Sequence, residues 1–179
     1  MRYFLLILWG SLGVSSTALA FGSGAGTCEV VADYSSITAM GDRTRNPNQG
    51  DYVMTSNVPF YNGDEHIEIT IQGPVFTGVL VEVVNGNGDS VGTFSPDPEI
   101  RTCDGSAMSA THTSSHGNVV TRTMFWSPPE ESVGDVHVLA YVLSGERGDR
   151  SSQQFYRFVR EDSSAISIVS DTVFANGFD

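Results

Sequence analysis

The chain has 179 residues, carries 9 Lys plus Arg against 21 Asp plus Glu for a formal charge of −12, and is 40% hydrophobic. That length suits one domain with a leader and a tail. There is no lysine and no basic patch, which excludes easy binding of nucleic acid or an anionic membrane, because phosphates are met by Lys and Arg.

Residues 1–20 read as a secretory signal: Arg2 is the positive start, Phe4 to Leu12 the apolar stretch, and Ala18-Leu19-Ala20 the small-x-small site, with cleavage after Ala20. The apolar run is about half the roughly 20 residues a membrane span needs. No later segment is apolar enough to span, so a periplasmic or secreted product is expected, with eight Arg against 21 acids and a charge of −13. Residues 21–27 are Gly-rich and read as a flexible leader. Cys28 and Cys103 are the two cysteines, and in an exported chain they are expected to pair. Lipidation of Cys28 is disfavoured, since Ala25-Gly26-Thr27 is a poor lipobox far beyond the apolar stretch.

Gly41 to Asp51 is a polar loop, and Tyr52-Val53-Met54 a short strand candidate. Ile67, Ile69 and Ile71 alternate with His66, Glu68, Thr70 and Gln72, the period of a strand with one buried face. After Gly73-Pro74, Val79 to Val84 is nearly continuous and β-branched, as a more deeply buried strand would be. Asn85-Gly86-Asn87-Gly88 supplies a tight reversal before Val91 to Phe94 extends again. Ser95 to Ser115 reads as a long irregular connection pinned by Cys103. Val119 to Trp126 is extended, Val136 to Leu143 alternates, and Phe155 to Val159 makes a last strand. Trp126 is a core candidate over the disulfide, although Arg122 shares its phase. Leu139, Tyr141 and Leu143 form a second apolar stripe, either covered by the tail or loops or open to a partner. Short strands divided by Gly, Pro and Asn turns, without helical periodicity, indicate an all-β antiparallel sandwich of about 7–9 strands.

An ordered set of elements resembles a known family: Gly26-Thr27-Cys28, Tyr61-Asn62-Gly63-Asp64, Ile67 to Ile71, Phe76-Thr77-Gly78-Val79-Leu80-Val81, Gly92-Thr93-Phe94, Cys103, Thr111-His112-Thr113 and Trp126-Ser127-Pro128-Pro129. The succession is similar to the Reeler (reelin N-terminal) domain and covers about Cys28 to Phe158. The resemblance implies an immunoglobulin-like sandwich with a disulfide matching Cys28–Cys103, found in matrix and adhesion proteins, beside electron-transfer domains and in small secreted defence proteins. It implies no settled catalytic residue. Ser115-His116-Gly117-Asn118 stands where a basic residue usually follows the Thr-His element, and animal members often carry more cysteines.

Thr111, His112 and Thr113 are therefore the candidate ligand loop, set against the plainer reading of His112 as a hydrogen-bonded histidine fixing that loop. His112 and His116 are four apart in a loop-like stretch, which gives no shared helical face for a metal, and His66 and His137 fall on the polar phase of their strands. Asn85 to Asp89 lacks the spacing and terminal Glu of a calcium loop. No Gly-x-Ser-x-Gly elbow occurs. No catalytic, cofactor or metal residue is assigned.

The reading is a signal peptide over 1–20, a leader over 21–27, a sandwich over 28–160 and a tail over 161–179. The tail holds a possible edge strand, Ile166-Ser167-Ile168, and ends in Phe174 to Asp179, which resembles a short element on secreted bacterial proteins. The function expected is a non-enzymatic binding or adhesion module for a cell-surface polysaccharide or protein, without a cofactor. The alternatives are a secreted defence protein or an accessory to a redox or metal system.

Overall fold

Alternation dictates the first layer and continuous hydrophobicity the second, and one strand supplies both. The computed structural model describes residues 24–31, 43–62, 65–103, 105–114, 116–149, 151–160 and 165–170. The signal segment with Ala18 and Ala20, and residues 171–179, lie outside them. In chain order the strands are β1 (Thr44–Arg45), β2 (Val53–Ser56), β3 (Phe60–Tyr61), β4 (Ile67–Val84), β5 (Thr93–Ser95), β6 (Ile100–Cys103), β7 (Ser106–His112), β8 (Val119–Ser127), β9 (Val136–Ser144), β10 (Gln154–Phe158) and β11 (Ile166–Ser170).

The break expected at Gly73-Pro74 does not end a strand. β4 runs on for 18 residues and changes partners there. Ile67 to Gln72 pair with β8 on one edge and Ile69 to Gln72 with β2 on the other, whereas Gly78 to Val84 pair with β9 and Leu80 to Glu82 with β7. The register shifts between Gln72 and Phe76, so Pro74, which has no N–H to give, sits where the ladder is already interrupted. Layer one is β5-β8-β4-β2, and layer two is β1-β10-β9-β4-β7-β6. The result is an all-β sandwich held continuous by β4.

The inward faces meet in one core: Ile67, Ile69, Ile71, Met124 and Trp126 from layer one, and Val79, Val81, Val83, Val138 and Ala140 from layer two. Trp126 is fully buried and donates its Nε1 hydrogen to Val91 O at 3.0 Å. Its phase-mate Arg122 lies nearer the edge, where Asp97 Oδ1 and Oδ2 each accept from it at 2.6 Å and Glu99 also accepts. The disulfide is not beneath Trp126, as expected, but in a second cluster on the far face of layer two.

Eleven strands form among the described residues rather than seven to nine. The added ones are two-residue pairings and β6–β7, which lie inside the stretch read as irregular. β11 forms over the possible edge strand of the tail: Ile166 to Ile168 pair β9 antiparallel, Val169 and Ser170 pair β3 parallel, and Ile168 is buried.

Gly92 is where the turn after β4 comes down onto Trp126. Its φ is +68°, and an added Cβ would lie 2.4 Å from Trp126 Nε1 and 2.5 Å from Ser127 O. The second neighbour is backbone and cannot swing away. Gly92→Ala should therefore lower stability by about 1–3 kcal/mol in a urea melt, and an unchanged midpoint would contradict this packing.

Candidate functional site

The Thr-His-Thr element is not an open loop. Thr111 and His112 end β7 and are buried, Thr111 in register with Leu80 of β4. Thr111 Oγ1 donates to Val79 O at 2.8 Å and accepts the Ala25 N–H at 2.9 Å. His112 Nδ1 lies 3.2 Å from Val79 N and 3.1 Å from Val79 O, and its ring packs on Gly78, where a Cβ would be 3.0 Å from Cε1. Thr113 Oγ1 donates to Pro98 O at 2.8 Å. These side chains fasten backbone to backbone. Their polarity reads as a loop because polar groups satisfied by main chain leave no apolar period.

What Thr111 fastens is the leader. Residues 24–31 lie as a strap across the outer face of layer two, where the sequence led us to expect a flexible leader over 21–27. Ala25 and Val30 join Leu80, Val84, Leu139, Tyr141, Leu143, Phe155 and Val159 in the second cluster. The apolar stripe of β9 is thus covered by the leader, and Ala165 of the tail packs against the same cluster. The Cys28–Cys103 bond, with Cα atoms 5.4 Å apart, pins the middle of the strap. Val31 closes its end, donating N–H to Tyr141 Oη and accepting from it through O, both at 2.7 Å. Thr111→Val keeps the shape and removes both Oγ1 bonds; it should cost about 1–3 kcal/mol by urea unfolding and loosen the Ala25 amide to hydrogen exchange.

Glu82 is the one acid within the apolar run Val79 to Val84, and that isolation is its only sequence signal. It is 3% exposed; Oε2 accepts the Val30 N–H at 2.8 Å and Oε1 accepts from Ser90 Oγ. Burial pushes its carboxyl pKa up, the Ser90 and Val30 hydrogen bonds pull it back, and the Glu29 charge adds to the rise.

The histidines are dispersed in role. His116 is buried with its ring centroid 6.0 Å from those of His112 and Phe76, and neither ring nitrogen makes a hydrogen bond. Burial first, then His112 and Arg122, lower its pKa to about 4. His66 Nδ1 is 2.8 Å from Ser127 Oγ and His137 Nδ1 3.0 Å from Ser167 Oγ. No carboxylate bonds the other nitrogen of either ring among the described residues. Nor do those residues contain a group of three or more His, Cys, Asp or Glu arranged for a metal.

The remaining surface of interest is the outward face of layer one. Register lays its side chains in rows: Val53, Gln72 and Thr121; Thr55, Thr70 and Thr123; Glu68, Phe125 and Ser95. With strands about 4.8 Å apart, these rows set hydroxyls and one amide beside Val53 and Phe125, and Glu68 is the one charge within them. Phe125 is 41% exposed between Glu68 and Ser95, and in the middle row Thr70 Oγ1 and Thr123 Oγ1 are 2.8 Å apart. Arg122 in phase with Trp126 left the faces of β8 open in the sequence, and the neighbouring rows depend on pairing.

A family model described as the Reeler domain matches residues 35–172. Among solved structures, the Reelin-N domain of F-spondin is similar with a TM-score of 0.55 and 17% identity, over 72% of this chain and 92% of that one. Two fragments of the human F-spondin reeler domain give 0.55 and 0.56 with 18% identity, over 72% and 73% of this chain and 94% of each of theirs. Those identities carry the fold alone. No curated protein sequence matches the chain significantly.

Proposed function

The chain belongs to the Reeler domain family, and from that premise we propose that it is an exported, non-enzymatic binding module for a cell-surface polysaccharide. The observation that carries this reading is the outward face of layer one. An exposed aromatic ring can stack on a sugar, while the hydroxyls of Thr55, Thr70, Thr121 and Thr123 and the Gln72 amide can exchange hydrogen bonds with a polyol. A nearly uncharged face on an otherwise acidic chain favours a neutral glycan over a charged one. The Thr111-His112 pair is buried at the end of β7 in layer two and is not part of this face. Among the described residues no helix is long and apolar enough to cross a membrane.

Purified residues 21–179 should bind whole cells and neutral envelope glycans saturably, and Phe125→Ala should weaken that binding about tenfold or more. The thermal midpoint should barely move, since Phe125 packs outward. Binding that ignores Phe125→Ala would remove this face as the site, and no binding to any glycan would remove the polysaccharide.

A further inference from the structure

At one end of the strap lies a cavity of about 280 Å³, lined by Glu29, Val30, Glu82, Val84, Asn87, Gly88, Leu139, Val159 and Arg160. It is on the opposite side of the sandwich from the polar face of layer one. Five segments build it: the strap brings Glu29 and Val30, β4 Glu82 and Val84, the Asn85–Asp89 turn Asn87 and Gly88, β9 Leu139, and the residues after β10 Val159 and Arg160. That turn is held by Asn85 N–H to Asp89 O at 2.9 Å.

Glu82 is a buried carboxylate whose two partners, a backbone N–H and a hydroxyl, are both neutral. A carboxylate this buried ordinarily has a cation beside it. Arg160 lines the same cavity, but its Nη1 donates to Gly86 O at 3.2 Å. Glu29 adds a second negative charge, so the cavity has two acids against one base. Four of its other wall residues, Val30, Val84, Leu139 and Val159, carry apolar side chains that would cover methylene groups.

We propose that this cavity binds a primary ammonium group carried on a short aliphatic chain, with Glu82 and Glu29 taking the ammonium and the valine and leucine wall taking the methylenes. Such a group comes either as a free alkyl diamine or as a lysine side chain on another protein. This chain has no lysine, so no copy of it supplies that side chain.

The test is titration of purified residues 21–179 in 0.3 M salt, which screens diffuse attraction to an acidic surface. The probes are pentane-1,5-diamine, Nα-acetyl-lysine amide and, as the uncharged counterpart, pentane-1,5-diol, followed by amide NMR. Both amines should saturate one site and shift the amides of Glu29, Val30 and Asn87, and the diol should not. The tighter of the two amines identifies the source. Glu82→Gln should cut affinity at least tenfold. Glu29→Gln should cut it a few-fold, and Arg160→Gln should raise it a few-fold by removing a competing charge. The last two sites are at the surface and keep the test alive if Glu82→Gln misfolds. Equal binding of diol and diamine, shifts elsewhere, or affinities unmoved by Glu29→Gln and Arg160→Gln would overturn the proposal. Glycan binding by Glu29→Gln should stay at the wild-type level, which separates this site from the face around Phe125.

Discussion

Reducing Cys28–Cys103, or replacing both residues by serine, should lower the unfolding free energy by about 4 kcal/mol and expose an apolar face. The first part follows from chain entropy: the bond closes a loop between positions 75 apart, and opening it returns that freedom to the unfolded chain. The second part follows from where the bond sits. It fastens the strap over Leu80, Leu139, Leu143, Phe155 and Val159, all in the second cluster. Without it the strap is held by Thr111 on Ala25, Glu82 on Val30 and Tyr141 on Val31. Hydrogen bonds of this kind contribute about 1 kcal/mol each, and those to a charged group somewhat more. The strap of the reduced protein should therefore open at a measurable rate while the main core stays folded. Hydrophobic dye binding and protease cutting within residues 24–31 should both appear before the cooperative melt. Dye exclusion with an unchanged midpoint after complete reduction would mean that the noncovalent contacts hold the strap alone.

The layered β architecture was legible because period-two patterning and buried runs report their own burial. Ile67, Ile69 and Ile71 lie inward as their alternation requires, and Val79 to Val84 are buried on both faces. What covers the second face was not legible. Gly24 to Thr27 has the composition of a flexible leader, but an added Cβ at Gly24 would lie 2.5 Å from Arg101 Nη2, and Ala25 is fully buried. Small residues serve a strap pressed on a sheet as well as they serve a mobile tail, and composition does not separate the two. The burial of Thr111 and His112 was hidden in the sequence for a related reason. A side chain that bonds distant backbone looks in sequence like one that bonds water, and only the pairing of β7 with β4 tells them apart. Glu82 shows the converse, since a single acid in an apolar run is visible, while its partners Val30 and Ser90 are not predictable from spacing.

Acid should weaken the fold between pH 6.5 and 4 chiefly through His116, and His116→Leu should remove most of that loss. His116 is buried beside His112 and Arg122, and these surroundings hold its folded pKa near 4 against an ordinary 6.5. Arg147 acts in the same sense, while the Gly117 backbone, outside bonding geometry, works slightly the other way. The unfolded chain therefore binds a proton that the folded chain refuses throughout this window. The contribution is intact above pH 6.5 and is lost as the pH falls toward 4, amounting to as much as about 3 kcal/mol for a shift of this size. Glu82 runs in the opposite direction, because its raised pKa makes the folded state hold a proton that the unfolded chain has given up. Wild type should thus show a loss somewhat smaller than His116 alone would give. In His116→Leu, two buried ring nitrogens without hydrogen bonds are replaced by methyl groups beside Phe76, so stability at pH 7.5 should hold or rise. Urea melts of both proteins at pH 7.5 and 4.5 decide the matter. If the two lose equal stability across that interval, the acid response belongs to other groups and His116 is not its source.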